Sequence, residues 1–262
     1  MEQLFVIKIG GNVIDDEKNL SLFLDDFAAI KAPRILVHGG GKIATKLGDT
    51  LGIESKYVNG RRITDAATID LVTMVYGGLV NKKMTAQLQA RGCNAIGLTG
   101  ADANILPAKR RPVKEVDYGF VGDVDSAALT VGTLQLLLEA GLTPVMAPLT
   151  HDGHGQMLNT NADTIASTLA VALSKRYDVR LIYCFEKKGV LEDVNNEQSV
   201  IPLITKDIYA QLLADKKLFD GILPKIDNAF AAIDSGVKEV LIGDARDLPR
   251  NTTSDTIGTL IK

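Results

Sequence analysis

The sequence predicts an α/β fold, a three-layer αβα sandwich around a mainly parallel central sheet with an inserted β-hairpin. Short β-branched apolar runs alternate with longer segments of helical periodicity, and this alternation is typical of βαβ units. The 262 residues are 46% hydrophobic and 23% charged, as in an ordinary globular protein with enough chain to bury a large core. No low-complexity segment or internal repeat interrupts the pattern.

Six apolar runs are the predicted strands: residues 4–9, 34–37, 94–98, 143–147, 179–184 and 239–242. Six segments with helical patterns are the predicted helices: residues 16–30, 64–91, 126–140, 161–175, 206–215 and 224–235. Thr64 suits the N-cap of the second helix, and Pro224 suits the first helical position of the last one. Gly236 suits the end of that last helix.

The segment 110–125 has a different pattern, because apolar and polar residues alternate around Tyr118-Gly119. This pattern predicts the inserted β-hairpin. Strand–helix patterning restarts near residues 174–180, so we place a soft boundary there. The predicted lobes are residues 1–175 and 176–262.

Composition and charge exclude several classes of protein. The formal net charge is -3, which offers no electrostatic footprint for nucleic acid or an anionic membrane. The apolar runs are far shorter than the roughly 20 residues that cross a bilayer, and the first residues lack the basic region of a signal peptide. Cys93 and Cys184 lie in apolar surroundings, which indicates reduced thiols in a cytoplasmic protein.

Burying Lys8 is expected to cost folding free energy, because this charged residue lies within a predicted buried strand. Gly10-Gly11 follow that strand. A buried ammonium costs several kcal/mol unless it meets an anion. At the carboxyl end of an early strand, that anion is expected to be a ligand. The alternative is an edge strand from which Lys8 reaches water along its alkyl chain.

Three successive glycines in the segment 34–42, RILVHGGGK, follow an apolar strand and precede a helical segment. Bare backbone N–H groups beside a helix amino end are suited to an anion. A Walker A loop is absent, because Ile43 stands where that motif needs Ser or Thr. Gly39, Gly41 and Ala44 formally match the dinucleotide pattern, but its acidic partner is missing, so an oxidoreductase is a weaker alternative.

The segment 158–163, LNTNAD, precedes an apolar helix. An N-cap role explains Asn161 and a first-turn role explains Asp163, but neither explains Asn159. The functional alternative is that the two amides and the carboxylate orient a polar ligand. Lys225 lies in the first turn of a predicted helix, where a cation opposes the helix dipole, although an ordinary solvated lysine is the simpler interpretation.

Histidines do not suggest catalysis. The two that flank Asp152-Gly153 lie in a turn without a third ligand, so we expect no metal bound by protein side chains. His38 is interpreted as a hydrogen-bonded core histidine.

Six segments, in this order along nearly the whole chain, resemble the amino acid kinase family: VIKIGGN at 6–12, VHGGG at 37–41, NGRRIT at 59–64, DYGFVGDV at 117–124, LNTNAD at 158–163 and DGILPKIDNA at 220–229. The resemblance is to the members that act in arginine biosynthesis. It implies a kinase that uses ATP to phosphorylate the γ-carboxylate of N-acetyl-L-glutamate, giving an acyl phosphate. Two alternatives stay open: the same reaction on N-succinyl-L-glutamate, and a non-catalytic regulatory protein of this fold that binds a nucleotide or an amino acid.

The resemblance also implies roles for site residues. Lys8 and Lys225 would contact ATP and stabilise the transferring phosphoryl group, and Asp163 would orient both lysines. Gly10, Gly11 and Gly189 would lie on the nucleotide side. Mg²⁺ would be bound mainly through the ATP phosphates.

The remaining implied roles concern the substrate. Gly40 and Gly41 would donate backbone N–H bonds, Arg62 would bind the substrate α-carboxylate, and Asn159 with Asn161 would hold its polar groups. Lobe 1–175 would bind the acylglutamate and dimerise, and lobe 176–262 would bind ATP.

Two departures from the family pattern limit these expectations. Phe185-Glu186-Lys187-Lys188 replaces the usual Ser/Thr-Asp-Val run before Gly189, so adenine and ribose contacts are not transferred. The chain starts at its first predicted strand, without the amino-terminal helix of arginine-inhibited relatives, which implies a homodimer insensitive to arginine. The pair Arg110-Arg111 would either receive the second carboxylate of a succinyl group or be a solvated charge pair.

Overall fold

The computed structural model describes residues 1–124, 129–193, 195–215, 217–218 and 222–262. The strands are β1 Glu2–Ile9, β2 Arg34–His38, β3 Tyr57–Val58, β4 Arg61–Arg62, β5 Ala95–Leu98, β6 Ala108–Arg110, β7 Gly122–Val124, β8 Thr143–Met146, β9 Leu149–His151, β10 Met157–Asn159, β11 Tyr177–Phe185, β12 Leu203–Ile204, β13 Glu239–Asp244 and β14 Thr259–Ile261. The α-helices are α1 Gly11–Asp15, α2 Glu17–Ala29, α3 Gly41–Leu51, α4 Ala66–Val72, α5 Asn81–Gln89, α6 Val131–Glu139, α7 Ala162–Leu173, α8 Lys206–Ala214, α9 Leu223–Asp234 and α10 Leu248–Asn251.

Residue contacts divide the chain into two compact units. The first unit comprises Met1–Arg34 with Ala166–Lys262, and the second unit comprises Ile35–Ile165. The units therefore group the amino-terminal strand and its helices with the carboxyl-terminal third of the chain. The assignment of ligands to lobes 1–175 and 176–262 stays a prediction.

The strands of the first unit lie in the order β12-β14-β13-β11-β1. β1 pairs with β11 and β11 pairs with β13, both in parallel, while β14 is antiparallel to β13. β1 is buried from Leu4 to Ile9 without alternation, because strands of a parallel sheet bury both faces. This unit confirms the α/β class and the mainly parallel pairing.

The second unit carries the parallel strands β2, β8 and β5, in that order. Three short antiparallel pairs accompany them: β3 with β4, β6 with β7, and β9 with β10. The β6–β7 pair confirms the predicted hairpin, with Arg110 opposite Gly122. Its first strand begins at Ala108, two residues before the predicted segment, and Asp125 lies outside the described residues.

The predicted helix 64–91 forms, but its N-cap prediction is wrong. The cap is Asp65, whose carboxylate accepts a 2.8 Å hydrogen bond from the Thr68 backbone N–H. Thr64 is unsuited to that position because its backbone pairs with the hairpin segment, donating to the Tyr118 carbonyl and accepting from the Phe120 N–H. Between α4 and α5 the chain forms a π-helical stretch, Thr73–Val80.

Other boundaries lie close to prediction. Helix α2 begins after Asp16, whose side chain caps it, and α9 carries Pro224 in its first turn. Of the predicted helix 126–140, the structure shows α6 from Val131, and residues 126–128 lie outside the described residues. Cys93 and Cys184 are both buried free thiols, as predicted.

Among the helices in the part of the chain that the structure describes, none combines the length and the apolar character that crossing a bilayer requires.

Candidate active site

Strand β1 carries Lys8 within the parallel sheet of the first unit, opposite Tyr183 in β11. The lysine is only 8% exposed. The alternative of a side chain that extends from an edge strand into water is therefore wrong. A buried ammonium at this position needs a compensating environment.

Phe185, the last residue of β11, provides part of that environment. The Lys8 Nζ lies 5.2 Å from the centroid of the Phe185 ring, and the Lys225 Nζ lies 3.5 Å from it. Lys225 reaches the ring from the first turn of α9. The structure thus brings together the two lysines that the sequence placed 217 positions apart, around one aromatic ring whose face attracts cations.

Gly10, which follows β1, lies beside the Lys8 ammonium. A Cβ built on Gly10 would lie 3.8 Å from the Lys8 Nζ. The backbone here is therefore close to a positive charge and unobstructed by side chains, a suitable surface for a phosphate. Nearby Cys184 plays no nucleophilic part, because burial raises the pKa of its thiol to about 12 and keeps it protonated.

Gly189 has a packing explanation. A Cβ on this residue would lie 2.6 Å from the Thr259 Oγ1 and 3.0 Å from the Thr259 backbone nitrogen. The Val190 N–H donates to the same hydroxyl at 2.8 Å. Close approach to β14 thus requires a glycine here, and the nucleotide role of Gly189 stays a prediction.

In the second unit, the glycine loop 39–41 joins β2 to α3. Gly40 has φ +155°, and a Cβ there would lie 3.0 Å from the Tyr76 ring. Only glycine fits this conformation and this space without strain. The N-cap residue of α3 is Gly40, which makes no side-chain cap hydrogen bond, so the amino end of this helix presents backbone N–H groups suited to an anion.

His38 is hydrogen-bonded to the backbone of this loop. Its Nδ1 lies 2.6 Å from the Gly39 carbonyl oxygen, and its Nε2 lies 3.1 Å from the Asn81 Nδ2. The Asn81 amide also donates to the Val145 carbonyl at 2.9 Å, which orients its N–H₂ towards both acceptors. His38 Nε2 therefore accepts and Nδ1–H donates. Complete burial lowers the pKa of His38 to about 4, so the imidazole is neutral at pH 7, consistent with the predicted core histidine.

Arg62 also forms a hydrogen bond to the backbone of the glycine loop. Its Nη2 donates to the Gly41 carbonyl and to the Thr45 hydroxyl, both at 2.9 Å, and its Nη1 donates to the Ser55 hydroxyl. The guanidinium also lies over the Tyr57 ring, 4.8 Å from its centroid. A buried arginine fixed in this way offers a preorganised cation for a carboxylate.

The three polar residues singled out in the segment LNTNAD have three different surroundings. The Asn159 amide donates to the Thr64 hydroxyl at 3.0 Å. Asn161 Oδ1 accepts from the backbone N–H groups of Asp163 and Thr164, as the N-cap alternative predicts. Asp163 lies in the first turn of α7 in the second unit, and its role in orienting lysines stays a prediction.

A cavity of about 260 Å³ in the second unit brings the predicted substrate residues together. Its lining includes all five of them: Gly40, Gly41, Arg62, Asn159 and Asn161. Sequence reasoning missed Tyr57, Tyr76 and Asp123, which also line it. These residues come from separate segments. Asp123 lies in the segment DYGFVGDV, but no local pattern marks Tyr57 or Tyr76 as lining a cavity.

Within the ranges that the structure describes, no three His, Cys, Asp or Glu side chains are grouped so as to hold a metal ion.

Sequence comparison connects this geometry to known proteins. Residues 3–244 match the amino acid kinase family. The chain is 57% identical over 261 residues to the acetylglutamate kinase of Bacteroides thetaiotaomicron, covering 100% of this chain and 99% of that relative. It is 55% identical, over the same coverage, to the acetylglutamate kinase of Phocaeicola vulgatus.

Structure comparison agrees at the level of the fold. The N-acetylglutamate synthase of Neisseria gonorrhoeae, solved with coenzyme A and N-acetyl-glutamate, aligns with a TM-score of 0.81 and 22% identity. The alignment covers 99% of this chain and 59% of that one. Together with the family match over residues 3–244, these similarities show that the chain belongs to the amino acid kinase family.

Proposed function

We propose that this protein transfers the γ-phosphoryl group of ATP to the γ-carboxylate of N-acetyl-L-glutamate. In this step a bond forms between a carboxylate oxygen and the γ-phosphorus, the bond from that phosphorus to the β–γ bridging oxygen breaks, and ADP leaves. The observation that carries the reaction type is the convergence of Lys8 and Lys225 on Phe185. The substrate is supported by relatives named acetylglutamate kinase, which are 55–57% identical over almost their whole length.

The chemistry requires positive charge more than it requires a base. A carboxylate is ionised and nucleophilic at neutral pH, so no side chain has to remove a proton. The difficulty lies in bringing an anion to a polyanion while charge spreads over the transferring phosphoryl oxygens. Two ammonium groups held in place before the reaction supply the stabilisation that this transition state needs.

The acylglutamate occupies the cavity of the second unit. Arg62 binds its α-carboxylate, the Asn159 and Asn161 amides hold its amide group, and the Gly40 and Gly41 N–H groups receive the reacting carboxylate. The lining of one cavity by all five residues supports this assignment. Their hydrogen bonds to neighbouring groups fix most of these positions before substrate arrives, which lowers the entropic cost of binding.

ATP binds in the first unit. The residues there fit a triphosphate, because two ammonium groups converge on Phe185 and the side-chain-free backbone of Gly10 lies beside the Lys8 ammonium. Mg²⁺ is held mainly by the phosphate oxygens and supplies further charge neutralisation when bound.

We also propose a cytoplasmic homodimer. The exposed apolar side chains of Met74 and Leu79, which lie in the π-helical stretch, support a second copy of the chain as partner. Light scattering after gel filtration tests the assembly, with twice the monomer mass expected and the monomer mass contradicting it.

A coupled ADP-release assay tests the activity. ADP release that requires both N-acetyl-L-glutamate and Mg²⁺, with no release on L-glutamate or N-acetyl-L-aspartate, is the expected result. Saturable ATP binding without turnover on any acylglutamate contradicts the proposal and favours the non-catalytic alternative.

A further inference from the structure

A second cavity adjoins the first within the second unit. It has a volume of about 440 Å³ and shares Arg61, Arg111 and Asp123 with the lining of the substrate cavity. Lys114 and Glu115 also line it. Three cationic side chains and two carboxylates therefore line this second cavity.

Arg111 lines both cavities, and the Nε–Nη2 edge of its guanidinium is hydrogen-bonded to Asp123. Its Nε lies 3.0 Å and 3.2 Å from the two carboxylate oxygens of Asp123, and its Nη2 lies 2.5 Å from one of them. The Tyr118 ring stacks on the guanidinium, 5.5 Å from centroid to Cζ. These contacts fix the orientation of the group and neutralise Asp123.

The other edge of the same guanidinium is not used. Arg111 Nη1 is buried and has no hydrogen-bond partner among the residues that the structure describes. A buried, charged donor without an acceptor is unfavourable and calls for an explanation. A ligand that supplies an anionic oxygen at this point would satisfy it.

The course of the substrate through the first cavity indicates which part of it reaches Arg111. This step rests on the proposed function. The glycine loop and Arg62 take the two carboxylates of the glutamate moiety. The wall of this cavity also includes the hairpin residues Val121, Gly122 and Asp123 with Arg111, and of these Asp123 and Arg111 line the second cavity as well. The N-acyl arm therefore follows the hairpin towards the second cavity. An acetyl arm ends in a methyl group, which accepts no hydrogen bond.

We propose that the enzyme also phosphorylates N-acylglutamates whose acyl chain ends in a carboxylate, such as N-succinyl-L-glutamate. The terminal carboxylate binds Arg111 Nη1 and is attracted by the cations Arg61 and Lys114. Arg111 is the residue that determines this specificity. The chemistry that recognises the group is a charge-assisted hydrogen bond from a guanidinium that Asp123 holds in place.

Arg110 provides a matched control, because the structure separates it from its neighbour. Its Nε donates to the Gly119 carbonyl at 2.9 Å, and its guanidinium stacks on Phe120, 4.7 Å from the centroid. It lines neither cavity. Of the pair considered from the sequence, only Arg111 faces the site.

The experiment compares kcat/KM for N-acetyl- and N-succinyl-L-glutamate in the wild-type, Arg111→Lys and Arg110→Lys proteins. Lysine keeps the charge next to Asp123 but removes the Nη1 donor. We expect wild-type turnover of both compounds, and in Arg111→Lys a loss of about tenfold or more for the succinyl compound alone. Arg110→Lys should leave the ratio of the two values unchanged.

Other results overturn the inference. Turnover of the acetyl compound without turnover of the succinyl compound contradicts it and leaves the proposed function intact, as does an equal loss for both in Arg111→Lys. If neither compound is phosphorylated, the proposed function fails, and thermal shift then decides: stabilisation by N-succinyl-L-glutamate that Arg111→Lys abolishes supports the Arg111 site, and its absence contradicts it.

Discussion

The two units contribute different kinds of groups to the predicted site. In the first unit the predicted site consists mainly of two positively charged groups, the ammonium groups of Lys8 and Lys225 around the Phe185 ring. In the second unit it is made of fixed backbone and hydrogen-bonded side chains, with Gly41 tied to Arg62 and Gly39 tied to His38. The first unit is therefore suited to stabilise a transition state, and the second unit is suited to hold a ground-state ligand. Substitutions should therefore act mainly on kcat in the first unit and mainly on KM in the second.

The largest effect is expected from the lysines. Lys225→Met or Lys8→Met should lower kcat by about 10²–10³-fold, because each removes one preorganised group that meets developing charge. The KM for the acylglutamate should change much less. Lys187→Met is the control, since that exposed lysine pairs with Glu197 at 3.2 Å. A folded Lys225→Met protein that keeps more than about a tenth of the wild-type kcat would contradict the assignment of charge stabilisation to the first unit.

The next effect concerns the stability of the second unit. The pKa of His38 falls from 6.5 in the unfolded chain to about 4 in the folded protein because the imidazole is buried. Between these values the unfolded state binds more protons, so stability is complete above pH 6.5 and declines as the pH falls towards 4. The expected loss across this window is about 3 kcal/mol.

Urea unfolding between pH 4 and pH 7 measures this loss. Asn retains a donor near the position of Nδ1 and does not titrate, so His38→Asn should flatten the pH profile. An unchanged profile in His38→Asn would show that other groups cause the acid sensitivity.

A smaller effect separates binding from catalysis. Arg62→Lys removes the planar fork that holds Gly41 and faces the substrate cavity. We expect the KM for N-acetyl-L-glutamate to rise about tenfold to a hundredfold, with a smaller change in kcat. Initial-rate kinetics at saturating ATP distinguish the two parameters. A loss confined to kcat would reverse the comparison between the units.

The smallest effect is expected at Phe185. Phe185→Leu keeps the apolar volume near the lysines but removes the ring face, worth about 0.5–1 kcal/mol for a cation at a partly exposed site. The kcat should therefore fall about two- to fivefold, measured under the same conditions as for the lysine variants. A loss as large as that of Lys225→Met would mean that the ring does more than position the ammonium groups.

Much of the fold follows from the sequence, because the main strands and helices are long and periodic. The strand predicted at 34–37 ends one residue later, at His38, and the helix predicted at 206–215 ends one residue earlier, at Ala214. Short elements escaped prediction. β3 and β4 have two residues each, too few to show a period, and they exist because they pair with each other.

The residues of the candidate site also fall into two groups, those that the sequence predicts and those that it does not. Lys8, the glycine loop and the LNTNAD segment are visible because each places an unusual residue type beside a predicted strand or helix. Arg111 Nη1, Tyr76 and the His38–Asn81 contact are not, because their roles depend on residues that are distant in the chain. The Thr64 cap prediction failed for the same reason: pairing with the segment around Gly119 occupies the Thr64 backbone.

In the proposed reaction the γ-carboxylate of the acylglutamate accepts the phosphoryl group. Hydroxylamine trapping tests it most directly, because hydroxylamine converts an acyl phosphate into a stable hydroxamate. With N-acetyl-L-glutamate, ATP and Mg²⁺, we expect one γ-hydroxamate for each ADP released, and loss of both products in Lys225→Met. ADP released without hydroxamate would show that water or another group accepts the phosphoryl group, and would contradict the proposed reaction.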